Sequence, residues 1–247
     1  MIGLGTIYNV VAILVGSALG VWFGHRLPER TGRTVTDALG LVVLVIGGLN
    51  VMALQDPAYV AAVGEGLTLL VVLGALVFGG IAGSLLRIEE RLEGVGGWLQ
   101  ARFVRDDASP SRARFVEGFV DASLVFCIGP LAILGSLSDG LGRGIEQLVL
   151  KGTIDGFASL AFAASLGWGV AASAIPVGLY QGSLTIIAAL LGSLMPAEAV
   201  AAITATGGVL LLGVGLRLLQ VRPVPVGDML PALAIAPLLM ALVAAVR

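Results

Sequence analysis

Apolar runs of about twenty residues recur from one end of the chain to the other. A helix needs about 20 mostly apolar residues to cross a hydrocarbon layer about 30 Å thick. Of the 247 residues, 57% are hydrophobic and 12% are charged, whereas soluble domains carry about 25% charged residues. Too few polar residues therefore remain to cover a soluble surface. The sequence predicts an all-α polytopic transmembrane bundle, formed as one integral membrane domain over residues 1–247.

Run length and flanking charge set the predicted spans. Eight are expected, at residues 2–24, 35–54, 66–86, 113–136, 145–165, 168–194, 197–219 and 228–246. Only the letters SLGW separate the fifth span from the sixth, so a re-entrant pair is the alternative there. The first span is not expected to be a cleaved signal peptide, because its basic cluster follows the apolar run instead of preceding it.

Arginine placement predicts the orientation of the bundle. With eight spans, three arginine clusters fall on the same side of the membrane. They comprise Arg26, Arg30, Arg33, Arg87, Arg91, Arg102, Arg105, Arg112, Arg114, Arg217 and Arg222. The other side has Arg143 and the terminal Arg247. By the positive-inside rule the first side is cytoplasmic, and both termini are expected outside.

The longest predicted cytoplasmic segment, residues 87–105, has an amphipathic pattern. Apolar residues recur there at steps of three and four, as expected for one face of a helix. We expect this segment to lie along the inner interface with Trp98 as an anchor. A surface helix and a regulatory or partner-binding helix both remain open for it.

Small residues are spaced for close helix packing. Gly16, Gly20 and Gly24 lie four residues apart in the first span, and Gly79 and Gly83 have the same spacing in the third. Small residues on one helix face let two backbones approach closely in lipid. The pattern predicts tight helix–helix contacts at these two places.

Two pairs of segments indicate an internal repeat. Residues 38–49 (ALGLVVLVIGGL) resemble residues 205–216 (ATGGVLLLGVGL), and residues 9–19 resemble residues 185–195. Spans one and two therefore resemble spans six and seven. Copies five spans apart would face opposite ways, as in the inverted-topology repeats of many transporters.

The fourth and sixth spans contain helix-breaking residues near the depth of the buried charges. Gly129 and Pro130 lie inside the fourth span, and Pro176 lies inside the sixth. Proline lacks a backbone donor and leaves a carbonyl free. Interrupted helices of this kind mark many transport sites, although a simple packed kink is the alternative reading.

The stretch LVLKGTIDGFASLAF places two opposite charges in an apolar run. Lys151 is the single lysine of the chain, and Asp155 follows one helical turn later. Asp121 of the fourth span is expected at a similar depth, near the midplane. A charge there costs at least about 2.5–3.5 kcal/mol on insertion scales and normally faces the bundle interior. The alternatives are a lysine that snorkels to the headgroups and an aspartate in a structural helix contact.

Further polar residues share these spans. Glu117 is four residues before Asp121 and so lies on the same helix face. Neutral oxygens are offered by a second group of residues, which also fits ordinary interhelical hydrogen bonding. This group is Asn9, Asn50, Tyr180 and Gln181.

Enzyme chemistry is not expected. The one histidine, His25, lies at the mouth of the first span, and the one cysteine, Cys127, lies inside the fourth. They are not expected to meet as a nucleophile and its base. No metal-ligand spacing and no phosphate-binding G-x-x-x-x-G-K-[ST] motif is present. We expect no metal, no cofactor and no nucleic-acid partner.

Several segments carry a resemblance to a known family. They are MIGLGTIYNVVAILVGSALG, ALGLVVLVIGG, FVDASLVFCIGPLAILGSLSDG and the region from KGTIDGFASLAF to YQGSLT. The chain resembles the YqgA/YdfK-type family of bacterial inner-membrane proteins, a domain of unknown function. The resemblance implies a multi-pass protein of the bacterial cytoplasmic membrane, and it supplies no substrate and no site residues.

Two functional classes follow from the residues. The first is a transporter or channel for an ion or small solute, with Asp121 and Asp155 as central charges, Lys151 as counter-charge and Glu117 near the inner entrance. Because acids outnumber the internal base, a cation or a proton-coupled solute is favoured. The second is a non-transporting structural, sensory or partner-binding bundle. The expected partners are the lipid bilayer and an unidentified ion or solute, and a homo-oligomer remains open.

Overall fold

The computed structural model describes residues 2–24, 29–91, 94, 98, 109–127, 130–191 and 196–246. Within these residues the chain is helical and contains no strand, which confirms the predicted all-α class. The predicted amphipathic segment 87–105 falls mostly outside them. Its first part, residues 88–91, forms one helical turn.

Eleven α-helices are present in the described part of the chain. They are α1 (Leu4–Gly24), α2 (Glu29–Val51), α3 (Pro57–Val63), α4 (Leu67–Leu86), α5 (Ser109–Cys127), α6 (Pro130–Gly140), α7 (Glu146–Leu166), α8 (Gly169–Ala172), α9 (Ala174–Leu191), α10 (Ala197–Leu218) and α11 (Ala232–Val246). Short 3-10 turns at Met52–Gln55 and Gly227–Met229 complete the order of elements.

Within the described residues, six stretches are long and apolar enough to cross a membrane, and two bent helix pairs could each make one further span. The single stretches are α1, α4, α7, α8 with α9, α10 and α11. The pair α2–α3 bends by 51°, and the pair α5–α6 bends by 78°. The prediction of about eight spans is thus confirmed as a range of six to eight.

The bend between α2 and α3 has a local cause that the sequence prediction missed. Asp56 precedes Pro57, and its carboxylate accepts hydrogen bonds from the N–H groups of Ala58 at 2.9 Å and Tyr59 at 3.2 Å. An aspartate cap followed by proline at the first helical position starts a new helix. The apolar run therefore continues past residue 54 as a second, separately capped helix.

The chain folds into two compact units that are interleaved in sequence. The first comprises residues 1–39, 92–127 and 131–194, and the second comprises residues 40–91, 128–130 and 195–247. The prediction of one integral membrane domain stays a prediction.

In the first unit, α1 packs extensively against α7. A Cβ atom added at Gly20 would lie 2.9 Å from Cβ of Ala163, and one added at Gly152 would lie 2.9 Å from Cα of Asn9. Added Cβ atoms at Gly16 and Gly24 would run into the backbone of α7. The predicted close contact along Gly16, Gly20 and Gly24 is therefore confirmed.

In the second unit, α10 is the most buried span, and α4 packs against α11. Added Cβ atoms at Gly79 and Gly83 would run into Ala232 and into the backbone of Asp228. The predicted contact along these two glycines is confirmed as well. At one end of the unit, Glu89 pairs with Arg217, and the Glu89 N–H donates to Asp228 at 2.9 Å.

Helix directions within each unit constrain how often the chain crosses. The helices α1 and α7 are parallel, because residue numbers rise together along their contact. From one end to the other, Gly5 lies against Leu148, Asn9 against Gly152 and Gly24 against Ala164. Parallel helices begin on the same side of a membrane. An even number of crossings must therefore separate the start of α1 from the start of α7. If α1 and α4 each cross once, they already make an even number. The two bent pairs, α2–α3 and α5–α6, must then either both cross or both return to the side from which they came.

The second unit decides between these two cases. Gly74 lies against Leu239, and Gly79 lies against Ala232, so α4 and α11 are antiparallel. An antiparallel α11 begins on the side where α4 ends. Between α4 and α11 the chain passes through α5–α6, α7, α9 and α10. If α7, α9 and α10 each cross once, they make an odd number of crossings, so α5–α6 must cross as well. Since the two bent pairs behave alike, α2–α3 must then also cross. Within the described residues, full crossing of the six long stretches therefore requires both bent pairs to cross, which gives eight crossings.

The structure also bears on the interruption near Pro176. The helix α9 runs through this residue, which occupies its first turn, where a missing N–H breaks no hydrogen bond. The interruption lies three residues earlier, at Ser173, between α8 and α9. The internal repeat is not confirmed and stays a prediction.

Eight crossings make a specific prediction for cysteine labelling. With Cys127 replaced by alanine, Glu65→Cys and Arg143→Cys should react with an impermeant thiol reagent in intact cells, and Arg222→Cys should be protected. All three positions are exposed in the structure, so access depends on the side of the membrane. Labelling of Glu65→Cys and Arg222→Cys from the same side would contradict eight crossings.

The α1–α7 contact makes a prediction for stability. Gly20→Ala should lower the free energy of unfolding by about 1–3 kcal/mol, because the added methyl group overfills a closed contact. The matched control is Gly182→Ala on α9, where an added Cβ meets no atom within 4 Å. This change should be neutral or stabilising by up to about 1 kcal/mol, since alanine is the better helix former. Unfolding in mixed detergent micelles would measure both, and equal effects would count against a closed contact.

Candidate functional site

The face of α7 that meets α1 carries Lys151 and Asp155, two of the four charged residues of the predicted site. Its buried side chains follow helical spacing: Leu148, Lys151, Gly152, Asp155, Ser159, Phe162, Ala163 and Leu166. Because Lys151 and Asp155 are one turn apart on this face, burying the face buries both charges. The spacing alone therefore carries a cation and an anion into the interior.

Lys151 and Asp155 form an ion pair with almost no contact with solvent. Nζ of Lys151 donates to Oδ2 of Asp155, and each residue is 6% exposed. The predicted pairing is thus present, and the alternative of a snorkelling lysine does not apply in this structure. A buried pair is weak evidence for stability, because desolvation of two charges offsets their attraction.

Two neutral amides extend the ion pair across three helices. Asn9 of α1 donates from Nδ2 to Oδ2 of Asp155 at 3.0 Å and to Oε1 of Gln181 of α9 at 3.2 Å. Both amide side chains are fully buried. The chain Lys151–Asp155–Asn9–Gln181, here called the polar core, joins α7, α1 and α9.

The polar core retains unused hydrogen-bonding capacity. Among the described residues, Oδ1 of Asn9, Nε2 of Gln181 and the hydroxyls of Thr6 and Thr185 are buried without a hydrogen-bond partner. Thr6 is one turn from Asn9, and Thr185 is one turn from Gln181. Buried polar atoms normally have partners, including ordered water. These four atoms therefore have hydrogen-bonding capacity that the described protein groups do not fill.

The antiparallel register of α1 and α9 places the two threonines on the same side of the amides. Asn9 faces Gln181, and Val10 lies 3.1 Å from a Cβ atom added at Gly178. Moving along α1 towards its start therefore means moving along α9 towards its end. Thr6 and Thr185 consequently lie one turn beyond the amides, nearer the end where α1 begins.

Asp139 closes this end of the first unit. Its carboxylate accepts hydrogen bonds from the N–H groups of Gly3 at 2.9 Å and Gly5 at 3.0 Å, and the residue is 2% exposed. An anion that accepts from the first N–H groups of a helix satisfies orphan donors and complements the helix dipole. The sequence prediction missed Asp139, since no local pattern links it to α1.

The fourth predicted span contributes a third deeply buried acid. Asp121 of α5 is fully buried, and α5 packs against both α7 and α9. The rings of Phe126 and Phe162 fix this contact in an edge-on arrangement, with centroids 6.0 Å apart. Glu117, one turn earlier on α5, is half-buried.

The remaining predicted residues are dispersed. Asn50 is half-buried in the second unit and does not belong to the polar core. Tyr180 is half-buried on α9 beside Gln181 in sequence. Pro130 begins α6, and Gly129 lies outside the described residues. Thr6 and Thr185 were not predicted, although their helical spacing from Asn9 and Gln181 could have indicated them.

The chemistry available to the polar core is proton exchange and hydrogen bonding. Within the described part of the chain, no group of three or more His, Cys, Asp or Glu residues could hold a metal ion. Two large cavities of the first unit are lined by other residues than Asp121 and Asp155. Lys151 and Asp155 are each only 6% exposed, and Asn9 and Gln181 are fully buried, so the polar core is closed to solvent in this structure.

The helices and the buried charges define a multi-pass α-helical membrane protein with a polar core inside one of its units. The chain belongs to the family described as Protein of unknown function (DUF554), which matches residues 4–241. This confirms the family resemblance seen in the sequence.

Two curated relatives cover almost the whole chain. The Uncharacterized protein YqgA of Escherichia coli (strain K12) is 33% identical over 234 residues, which cover 94% of each chain. The Uncharacterized membrane protein YdfK of Bacillus subtilis (strain 168) is 29% identical over 235 residues, which cover 94% of this chain and 93% of the relative. No solved structure matches the chain significantly.

The ion pair makes a prediction for stability. Lys151→Met should lower the free energy of unfolding by about 3–5 kcal/mol, because it leaves the Asp155 carboxylate buried without its cation. Adding Asp155→Asn to this variant should restore most of the loss, since an amide carries no charge to desolvate. Unfolding in mixed micelles would measure the coupling between the two sites.

A matched control is Arg143→Met, which removes a cation from an exposed position and should leave stability within about 0.5 kcal/mol. If Lys151→Met changes the free energy of unfolding equally little, Lys151 does not stabilise the charge of Asp155 in the folded protein.

Proposed function

We propose that the protein transports an ion or small solute across the bacterial inner membrane, with a cation or a proton-coupled solute favoured. The observation that supports this is the polar core, in which an ion pair and two amides are buried together among spare polar atoms. An ionisable residue inside a membrane span is costly and normally marks an ion or substrate path. A purely structural bundle gains little from such a pair, because desolvation offsets its attraction.

In this proposal Asp155 is the exchangeable charge and Lys151 is its resident counter-ion. Protonation of Asp155, or binding of a cation to it, would release Lys151 from the pair. The hydrogen bonds of Asn9 and Gln181 would then change as well, because Asn9 donates to both Asp155 and Gln181. Occupancy of one carboxylate would thereby be communicated to α1, α7 and α9.

The closed state of the polar core fits one intermediate of such a cycle. Lys151 and Asp155 are each only 6% exposed, so a passing solute requires α1 or α9 to move. Alternating exposure of a closed midplane site is how many transporters work. Asp121 and Glu117 would extend the path along α5 towards the predicted cytoplasmic side. The predicted outside termini and inverted repeat belong to this proposal.

A non-transporting bundle is the second candidate. It is favoured by the extensive contact of α1 with α7, in which glycines bring the two backbones close together. Any movement of one helix away from the other would break this contact. In that case the polar core would serve to fix the register of three helices, as single buried polar residues do in coiled coils. The two candidates differ in whether an ion or solute crosses the membrane along a path that includes Asp155.

Flux through reconstituted protein tests the proposal. Full-length protein in liposomes containing a pH-sensitive dye would be exposed to gradients of inorganic cations and small polar solutes. We expect at least one gradient to drive protein-dependent proton or charge movement. Asp155→Asn should abolish it, because the amide cannot exchange a proton or bind a cation as a charge. Arg143→Gln, an exposed cation-removing control, should retain wild-type flux.

Wild-type flux in Asp155→Asn would remove Asp155 from the path and contradict this assignment. Wild-type protein that folds, inserts and drives no movement under any gradient would favour the non-transporting bundle.

A further inference from the structure

A row of buried polar groups, here called the polar line, leads from the polar core to the end where α1 begins. Thr6 lies one turn before Asn9 on α1, and Thr185 lies one turn after Gln181 on α9. The antiparallel register of these two helices brings the threonines to the same level. Thr6 is 8% exposed and Thr185 is 2% exposed, so this level has a buried hydroxyl group on each helix.

Asp139 of α6 lies at the outer end of the polar line. Its carboxylate accepts a hydrogen bond from the N–H of Gly5 at 3.0 Å, one residue before Thr6. A Cβ atom added at Gly140 would lie 2.3 Å from the carbonyl oxygen of Thr185. The end of α6 therefore contacts both α1 and α9 at the level of the threonines. The aspartate of the polar core and this second aspartate are thus separated by one level of amides and one level of hydroxyl groups.

Space opens directly beyond Asp139. Gly3, which donates to its other carboxylate oxygen at 2.9 Å, is only half-buried. Gly142 donates to the backbone carbonyl of Asp139 at 3.0 Å and is exposed. A Cβ atom added at either glycine would meet no atom within 4 Å. The neighbouring charged residues Arg143 and Glu146 are exposed as well, so Asp139 lies between the buried hydroxyl groups and the surface.

The spare polar atoms along the line are of mixed kind. Among the described residues, the atoms without a hydrogen-bond partner include an acceptor, Oδ1 of Asn9, a donor group, Nε2 of Gln181, and the hydroxyls of Thr6 and Thr185. A metal ion needs acceptors only, and an anion needs donors only. Water and hydroxyl groups both donate and accept, and a proton is passed along them. The mixture therefore matches water and a proton better than a metal ion or an anion.

The helices that form the polar line carry no charge between its two ends. The helices α1 and α9 contain no charged residue, and α7 contributes Lys151 and Asp155 at the inner end. The acids of α5 lie further inwards, because Gly118 of that helix packs against Leu166 at the end of α7. A metal ion between the two ends would have no carboxylate to neutralise it, whereas a proton that passes between hydroxyl groups and water needs none.

We propose that Thr6, Thr185 and Asp139 form the outer half of a proton path that begins at Asp155. The path rests on the proposed function and names the proton as the transported or coupling ion. Buried acids linked by polar groups serve as proton relays in pumps and transporters. The arginine distribution of the sequence predicts that this end of the path faces the outside of the cell.

Each step of the path conserves its groups. The Asp155 carboxyl group releases a proton and becomes a carboxylate. Every hydroxyl group or water along the line accepts one proton at its oxygen and releases another, so it ends unchanged. The Asp139 carboxylate takes up the last proton and passes it to water at the surface. The two amides exchange no proton, and their spare atoms hold the water in place.

Contact with water tests the polar line without any transport. Full-length protein labelled with ¹³C threonine in bilayers would be studied by solid-state NMR for transfer of magnetisation from water. Thr6 and Thr185 should receive it about as fast as the exposed Thr34. The controls Thr204 and Thr206 are 8% and 0% exposed, and their hydroxyls donate to carbonyls of their own helix, so transfer to them should be several-fold slower. Each signal is assigned by its loss in the matching valine variant.

Transfer to Thr6 and Thr185 that is as slow as transfer to the two controls overturns the path, whatever the protein transports.

Proton flux in liposomes containing a pH-sensitive dye tests whether the hydroxyl groups carry protons. Thr6→Val combined with Thr185→Val should lower the flux about 100-fold, the typical contribution of one positioned group to a proton transfer. The Tm should stay unchanged, since valine has nearly the shape of threonine. Thr6→Ser combined with Thr185→Ser should retain the flux, because serine keeps the hydroxyl group. Thr204→Val combined with Thr206→Val is the matched control and should retain it too.

The outcomes separate the outer path from the proposed function. Proton flux that survives the double valine variant overturns the outer path and leaves the proposed function standing. Flux lost in the double serine variant as well overturns the path, because the hydroxyl groups then do not account for the loss. Movement of another ion without protons also overturns the path alone. Wild-type protein that moves nothing under any gradient contradicts the proposed function, and the outer path with it.

Discussion

The close approach of α1 and α7 is the contact on which the polar core depends. Helices in lipid gain no hydrophobic free energy by associating, so packing and interhelical hydrogen bonds must hold them together. Gly152 has no side chain, and its position against the backbone of Asn9 lets the amide of Asn9 reach Asp155. A larger residue at position 152 would separate the helices and leave both polar groups in an apolar interior. The glycines are therefore a condition for burying the charges.

The polar core also shows how a buried ion pair can draw its hydrogen-bond partners from several helices. The cation and the anion belong to α7, but the second partner of the anion belongs to α1 and the next acceptor belongs to α9. Low dielectric strengthens each of these hydrogen bonds and raises the cost of leaving one unmade. Three helices are thus coupled through polar atoms as well as through the close packing of their small residues.

The parts of this structure that could be predicted from sequence are those set by local spacing. Long apolar runs identified the spans, glycines four apart identified the close contacts, and Lys151 one turn before Asp155 identified the ion pair. Partners on other helices could not be predicted in the same way. Asn9 and Gln181 were singled out as polar residues in apolar runs, but their meeting depends on the register of α1 against α9. Asn50 carries the same local signal and lies in the other unit.

The break at Asp56 shows a different limit. Its capping signal was present in the sequence, but the search for spans followed hydropathy, which continues across it. The capping of α1 by Asp139 had no local signal at all, because the two partners are joined only by the fold.

The separation of these partners along the chain has a consequence for biosynthesis. Asn9 is 146 residues from Asp155 and 172 residues from Gln181, and Asp139 is 136 residues from Gly3. At a synthesis rate of about 5–20 residues per second, α1 exists for roughly 7–34 s before these residues have been made. During that interval the first helix carries an unpaired amide and an uncapped start into the membrane. The first unit can therefore close only after α7 and α9 have been made.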